Sequence, residues 1–167
     1  SGFDVIITFH TNKKDAEDVA NTIRYLGKKS ATLQLDVSKS ESFEGFISNL
    51  KETLEKDFSE TKINALVNNA GSAYYAPIDE TTEAAFDAMS SIHLKAPFFL
   101  TQKLLPLIKE GGSIVNTSSG LVRFSYPNYA AYAIMKAGID SLTRYQALEF
   151  GPLKIRVNSI APGAIET

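Results

Sequence analysis

Short runs of β-branched and other apolar residues alternate along the chain with longer stretches in which apolar residues recur at helical spacing. Five runs are predicted to be strands, at residues 5–9, 31–35, 63–67, 113–116 and 155–160. Helical patterns cover residues 15–26, 40–58, a long region from Thr82 and residues 129–150, the last closed by Gly151 and Pro152. Pro97 is predicted to interrupt the region from Thr82, because proline removes a helix hydrogen bond, and the apolar stretch 98–108 follows it.

This order of strands and helices predicts one domain over residues 1–167. The strands are apolar on both faces, which is typical of a parallel sheet covered by helices on both sides. We therefore predict an α/β fold, a Rossmann-like doubly wound parallel sheet. Ligands of such sheets bind at the carboxyl ends of the strands.

The first predicted strand lacks an obvious neighbour. A doubly wound nucleotide-binding sheet has the strand order 3-2-1-4-5-6, with a glycine-rich turn after its first strand. No such turn precedes residues 5–9, so this strand is expected to be the second of the sheet. The first strand and its glycine-rich turn are then missing, and we expect the 167 residues to be part of a longer chain, incomplete at both ends.

Composition and charge exclude several classes of protein. Hydrophobic residues make up 44% and charged residues 22%, with a net charge of −2, which is ordinary for a soluble globular protein and offers no basic surface for nucleic acid or an anionic membrane. No apolar run approaches the ~20 residues that a membrane span needs. Without cysteine there is neither a disulfide nor a thiolate metal site, so no metal is predicted and a cytoplasmic location is expected.

Tyr132 and Lys136 are the first candidates for chemistry. Four residues apart on a helix, their side chains share a face. A nearby ammonium favours the phenolate and lowers the tyrosine pKa from about 10, so the pair is suited to proton exchange with a hydroxyl or carbonyl. The spacing alone is weak evidence, since Tyr25 and Lys29 repeat it at a solvated helix end, and a plain surface pair is the alternative.

Motifs around this pair give it a context. Val67-Asn68-Asn69-Ala70-Gly71 ends one predicted strand, and Asn116-Thr117-Ser118-Ser119-Gly120 ends the next. Ser119 precedes Tyr132 by thirteen residues, and Arg156-Val157-Asn158-Ser159-Ile160-Ala161-Pro162-Gly163 follows, with Ala164-Ile165-Glu166-Thr167 after it. In this order, the set resembles the short-chain dehydrogenase/reductase family from about Val5 to Thr167.

The resemblance implies a role for each matching residue. Ser119 would bind the substrate oxygen, Tyr132 would be the general acid and base, and Lys136 would lower the tyrosine pKa and bind the nicotinamide ribose. Asp36 and Val37 would flank the adenine, and Ile165 and Thr167 would contact the nicotinamide end. The complete set of cofactor-binding candidates is His10, Asp36, Val37, Asn69, Ala70, Gly71, Tyr132, Lys136, Pro162, Gly163, Ile165 and Thr167.

Several of these residues have a simpler interpretation. Asp36 could cap the turn that follows it, and Gly163 could be only a turn residue. Asn68 and Asn69 could tie neighbouring strands together, which is expected for Asn68, and Ser118 could be a structural hydroxyl of its turn.

The sequence departs from the family pattern at His93, where the family usually has an asparagine at a helix kink, in the proton relay to the lysine. A histidine can donate or accept a hydrogen bond and can shuttle protons near neutral pH. We therefore include it among the catalytic candidates. The alternative is that His93 only fills the kink.

The segment after the first strand bears on the choice of cofactor. An acidic residue there would take the ribose 2′-hydroxyl of NAD. The chain instead has His10-Thr11-Asn12-Lys13-Lys14, which suits a 2′-phosphate, so we expect NADP(H), with NAD as the alternative. The lysines could also be only the solvated first turn of a helix.

Taken together, these features predict an oxidoreductase that transfers a hydride between NADP(H) and a small-molecule carbonyl or secondary alcohol. The alternative is a non-catalytic binding or scaffold protein of the same fold. The ending weakly resembles that of 3-oxoacyl-carrier-protein reductases, and the substrate pocket is expected to involve Arg123, Phe124, Tyr126 and Asn128.

Apolar residues on two helices add an expectation about assembly. The family resemblance implies a homo-oligomer, a dimer or tetramer, with burial inside one subunit as the alternative. These residues are Phe98, Phe99, Leu100, Leu104, Ile139, Leu142 and Leu148.

Overall fold

The computed structural model describes residues 2–163. They divide into two compact units between residues 62 and 63. Both contain parallel strands with helices between them, so the prediction of a parallel α/β fold is confirmed. Within the described residues, no helix combines the length and apolar character that crossing a bilayer requires.

The first unit holds a two-stranded parallel sheet. Strand β1 (Val5–Phe9) pairs with β2 (Ser30–Gln34), and helix α1 (Lys13–Tyr25) connects them. The side chain of Asn12 caps α1 by accepting the backbone N–H of Asp15. Because α1 ends at Tyr25, before Lys29, the second Tyr–Lys spacing does not lie on one helix, and the Tyr25 ring is 90% exposed.

The first unit continues with α2 (Phe43–Thr53), which extends through a π-helical turn, Leu54–Phe58. Its buried residues recur at helical spacing, and α2 packs on β2. They are Phe43, Phe46, Ile47 and Leu50.

The second unit is a three-stranded parallel sheet in the order β3-β4-β5. Its strands are β3 (Ile63–Asn68), β4 (Ile108–Thr117) and β5 (Arg156–Ile160). Helices α3 (Glu83–Ser90) and α4 (Ala96–Leu104) lie between β3 and β4, and α5 (Ala130–Phe150) between β4 and β5. A buried core of Ile108, Ile114, Ile155 and Val157 packs within this sheet.

Register brings the carboxyl ends of the three strands level. Asn68 pairs with Asn116, and Thr117 pairs with Ile160. The segments that follow the strands therefore emerge together at one edge of the sheet, where parallel sheets bind ligands.

The prediction that Pro97 interrupts the helix is wrong. Residues Ser91–Lys95 form a π-helical turn, in which the N–H of Ala96 donates to the carbonyl of Ser91, and α4 continues through a buried Pro97. Proline at this position has no N–H for the carbonyl four residues earlier, that of His93. The wider π-helical turn accommodates the hydrogen bond that is missing at the carbonyl of His93. The helix therefore changes its winding at this point but does not end.

Candidate active site

Two loops at the carboxyl edge of the second sheet are tied together by backbone hydrogen bonds. The N–H of Ser118, after β4, donates to the carbonyl of Ile160 at 2.7 Å, and that of Gly120 donates to Pro162 at 3.2 Å. The loops after β4 and β5 thus have fixed positions relative to each other.

A cavity of about 660 Å³ opens at this edge. Its volume falls within the range of small-molecule sites. Eight of the predicted site residues line it, from five separate segments of the chain. They are Asn69, Gly71, His93, Ser119, Tyr132, Lys136, Pro162 and Gly163. Ala70, between two of them, is exposed and is not among the lining residues.

Tyr132 and Lys136 both face this cavity from α5. Lys136 is buried, and its ammonium donates to the carbonyl of Thr117 at 2.7 Å. The same nitrogen lies 5.5 Å from the ring centroid of Tyr132. Burial lowers the pKa of Lys136, because desolvation disfavours the charged ammonium.

Tyr132 differs from the sequence-based expectation in its protonation. Burial raises the pKa of the phenol, and the side-chain hydrogen bond with Ser119 opposes that rise only in part. Lys136 donates to Thr117 and lies 5.5 Å from the ring centroid, and it does not reverse the rise in the pKa of Tyr132. In this structure Tyr132 is therefore a protonated phenol at neutral pH.

Ser119 is buried at the start of a short 3₁₀ turn, Gly120–Val122. Its Oγ accepts the N–H of Leu121 at 3.2 Å and also hydrogen-bonds with Tyr132. Its neighbour Ser118 points to the helix instead, donating to the carbonyl of Lys136 at 3.4 Å. These contacts favour a structural role for Ser118, whereas Ser119 provides the hydroxyl group beside Tyr132.

His93 lies in the π-helical turn and is 2% exposed. Its Nε2 is 2.9 Å from the carbonyl oxygen and 3.2 Å from the backbone nitrogen of Ser72. Among the described residues its Nδ1 has no hydrogen-bond partner. Burial, and after it the charge of Lys136, lower the pKa of the imidazole, so His93 is neutral at pH 7.

Two neighbours confine the His93 ring. The ring meets Tyr132 edge to face, with centroids 5.4 Å apart. A Cβ at Gly71 would lie 2.8 Å from Cε1 of His93, closer than real contacts allow. Glycine at position 71 is therefore required by the imidazole, in addition to the role in cofactor approach that the sequence suggested.

Behind the cavity lies a buried polar network that the sequence did not reveal. Asn116 accepts from Asn68 at 2.8 Å and donates to Thr143 and Gln146 at 2.9 Å each. The bond to Asn116 joins the neighbouring strands β3 and β4, as expected of Asn68, which also donates to Thr101 on α4 at 3.0 Å. One feature of the sequence could have indicated this network. Thr143 and Gln146 recur at helical spacing from the core residue Ile139 on α5.

The remaining described candidates lie in the first unit. Asp36 accepts the N–H and hydroxyl of Ser38 at 3.0 and 2.6 Å, which caps the turn as its simpler interpretation held. These bonds hold the pKa of Asp36 below its ordinary value. His10 is exposed, with Nε2 3.3 Å from Asp36, and Val37 is half-buried. Ile165 and Thr167 lie outside the described residues.

Aromatic side chains complete the cavity lining. Phe124 and Tyr126 line it as expected, whereas Arg123 and Asn128 are not among the lining residues. Asn128 instead joins two loops, accepting the N–H of Ala76 through its carbonyl at 3.0 Å. Tyr129 also lines the cavity, which no pattern along the chain had indicated.

Comparisons with known proteins match the whole chain. The family profile described as enoyl-(acyl carrier protein) reductase matches residues 1–167. Hydroxynaphthalene reductase-like protein Arp2 of Metarhizium guizhouense is 32% identical over 167 residues, covering 99% of this chain and 60% of the relative. This chain therefore spans about 60% of the length of that curated relative.

Solved structures agree in fold. Landomycin C-6 ketoreductase LanV, solved with bound NADP and rabelomycin, is 30% identical with a TM-score of 0.93, covering 96% of this chain and 66% of LanV. A short-chain dehydrogenase of Burkholderia cenocepacia, solved with NADP, is 29% identical with a TM-score of 0.86, covering 98% and 64% of the two chains. The Rossmann-like α/β fold is thereby confirmed.

Proposed function

The chain belongs to the short-chain dehydrogenase/reductase family, and from this premise we propose that the protein transfers a hydride between NADP(H) and a carbonyl or secondary alcohol substrate. One observation carries the proposal. Ser119, Tyr132 and Lys136 come from different parts of the sequence and line one cavity. A protein that served only as a scaffold would have no need of all three.

Tyr132 acts as the general acid in the direction of reduction. A phenol with the ordinary pKa of about 10 is protonated at neutral pH, and burial raises the pKa of Tyr132 further, so the side chain is in the form that gives a proton to a substrate oxygen. Ser119, hydrogen-bonded with Tyr132, orients that oxygen. Lys136 places a positive charge near the ring and stabilises the phenolate left after proton transfer.

His93 is assigned a part in the proton relay to Lys136. Its Nε2 is within hydrogen-bond distance of both polar groups of the Ser72 backbone, so either ring nitrogen can carry the proton while Nε2 keeps a partner. Its Nδ1 is buried and has no hydrogen-bond partner among the described residues, which leaves this nitrogen available to carry the proton in the relay.

The lining residues fit a nicotinamide cofactor. Gly163 has open space where a side chain would stand, and Asn69 and Lys136 both line the cavity. When bound, the cofactor supplies the hydride. In the second unit, the residues that would hold it are Asn69, Ala70, Gly71, Tyr132, Lys136, Pro162 and Gly163. The candidates His10, Asp36 and Val37 of the first unit, and Ile165 and Thr167 outside the described residues, stay predictions from the sequence.

NADP(H) is the proposed form of the cofactor. His10, Lys13 and Lys14 are exposed around the start of α1 and can meet a 2′-phosphate. The NADP bound in LanV and in the Burkholderia protein supports this choice.

Calorimetric titration with NADPH tests the proposal against a non-catalytic protein of the same fold. The protein is expressed from its full reading frame and titrated with NADPH, and turnover of simple ketones is then followed by NADPH absorbance. Binding with turnover supports the oxidoreductase. Absence of NADPH binding would overturn it and favour a scaffold.

Assembly into a dimer or tetramer is also proposed, together with a cytoplasmic location. Phe98, Phe99 and Leu148 are 48%, 39% and 74% exposed, whereas Leu100, Leu104 and Ile139 are buried within the subunit. The exposed group is available to a second subunit. Light scattering of the purified protein measures the subunit number, and a monomer would refute the assembly.

A further inference from the structure

Three aromatic side chains line the cavity and a fourth packs on one of them, and we refer to these four as the aromatic wall. Phe124, Tyr126 and Tyr129 line the cavity, and Tyr75 packs edge to face on Tyr129 with centroids 5.3 Å apart. Phe124 and Tyr126 meet edge to face in the same way at 5.8 Å. The wall is thus built of two ordered ring pairs.

The wall leaves apolar surface open to water. Phe124 is 51% exposed and Tyr126 is 62% exposed. Burial of side chains of this size would stabilise the fold, yet both rings remain in contact with water. Exposed aromatic residues in a concave site are typical of a ligand-binding surface.

The wall begins directly beside the reactive hydroxyls. Gly120 follows Ser119, and a Cβ at Gly120 would lie only 2.7 Å from Cζ of Phe124, so that ring lies on the glycine. Tyr129 precedes Tyr132 by one helical turn. A substrate whose oxygen reaches Ser119 and Tyr132 therefore has its adjoining carbon skeleton against these rings.

Charge in the cavity points to a neutral ligand. Among the described residues that line it, Lys136 is the only one charged at neutral pH, and its ammonium already donates to Thr117. A phosphate or carboxylate on the substrate has no second cation to meet there. Aromatic rings, in contrast, interact favourably with the edges and faces of another ring.

We propose, on the basis of the oxidoreductase function above, that the substrate is a neutral ketone fused to a flat aromatic ring system. The carbonyl lies between Ser119 and Tyr132, and the ring system packs on the aromatic wall. Acyl thioesters of a carrier protein or coenzyme are the class this site disfavours.

Two bicyclic ketones of the same carbon skeleton test the proposal. The carbonyl of 2-tetralone is not conjugated with its ring, and 2-decalone is its saturated counterpart, so the aromatic ring is the main difference between them. With the full-length protein and NADPH, kcat/KM for 2-tetralone should exceed that for 2-decalone roughly two- to tenfold. Acetoacetyl-coenzyme A should be the poorest of the three.

Variants separate aromaticity from apolar bulk. Phe124→Leu keeps the apolar volume and should bring the ratio of kcat/KM for 2-tetralone to that for 2-decalone close to one, mainly through KM. Tyr25→Leu, at a ring 90% exposed in the first unit, is the matched control and should leave the ratio unchanged.

The outcomes separate this proposal from the one on which it rests. Equal kcat/KM for the two ketones, an unchanged ratio in Phe124→Leu or a preference for the thioester would overturn the substrate class while leaving the oxidoreductase intact. Failure to oxidise NADPH with any ketone or thioester would overturn both.

Discussion

The imidazole of His93 lies edge to face on the phenol of Tyr132, with ring centroids 5.4 Å apart and planes at 83°. The two residues come from different helical segments and are both confined, His93 by Gly71 and Tyr132 by its hydrogen bond with Ser119. The position of the proposed proton donor therefore depends on a residue in which this chain departs from the family pattern.

Replacing Tyr132 by phenylalanine should remove the proton donor while keeping the ring. Turnover is expected to fall by at least about a hundredfold, since general acid catalysis contributes ~10²–10⁴-fold, with NADPH affinity nearly unchanged. Steady-state rates and calorimetric titration measure the two effects. Tyr145→Phe, at a 63% exposed ring on the same helix, is the control. More than about a tenth of the rate left in Tyr132→Phe would contradict the assigned role.

The buried imidazole should make stability depend on pH. Because burial lowers the pKa of His93 from 6.5, the unfolded chain takes up this proton more readily than the folded protein as the pH falls below that value. Urea unfolding should show stability falling with pH, by up to about 1 kcal/mol from this group between pH 7 and pH 5.5.

Two variants isolate this contribution. His93→Asn should lose it, whereas His10→Asn, at the exposed histidine, should retain it. Identical pH dependence in wild type and His93→Asn would rule out the buried imidazole as its source.

Adding a methyl group at Gly71 should strain the site. The new Cβ would collide with Cε1 of His93, and Gly71→Ala should lower the free energy of unfolding by about 1–3 kcal/mol. Asparagine has no atom equivalent to Cε1, so His93→Asn in the same chain should relieve much of this loss. Denaturant unfolding of the two single variants and the double variant measures the coupling, and strictly additive effects would argue against the collision.

The buried amide of Asn116 should matter for folding rather than chemistry. Asn116→Ala removes one hydrogen-bond partner from each of Asn68, Thr143 and Gln146 and should destabilise the protein by about 2–4 kcal/mol. Asn64→Ala, at an exposed position on the neighbouring strand β3, should change stability by no more than about 0.5 kcal/mol. Similar unfolding midpoints for the two variants would show that the network contributes little.

The cationic residues at the start of α1 should discriminate between the two nicotinamide cofactors. NADPH is expected to bind about ten- to a hundredfold more tightly than NADH, because charge-assisted hydrogen bonds to the 2′-phosphate are available only with NADPH. Lys14→Glu should reduce this preference, and an acidic residue in the first helical turn is compatible with α1. Lys51→Glu, on α2, is the control. Equal affinities for NADPH and NADH in the unmodified protein would argue against the assignment.

Much of the fold, and the set of candidate site residues, could be predicted from the chain alone. Alternation of buried strands with helical patterns determined the parallel α/β class, because strand and helix periods are local properties of the sequence. The ordered motifs pointed to Ser119, Tyr132 and Lys136 as the proposed catalytic residues, since each motif follows a strand end or lies on the next helix. The interpretations of Ser118 and Asn68 as structural residues also rested on local position.

Tertiary structure decided what depends on distant neighbours. The pKa of Tyr132 is raised because burial outweighs its partners, and no spacing along the chain reports burial. The helix continues through Pro97 because the π-helical turn before it accommodates the hydrogen bond that is missing at the carbonyl of His93. The need for glycine at position 71 arises from a ring 22 residues away in sequence, which only the folded chain brings into contact with it.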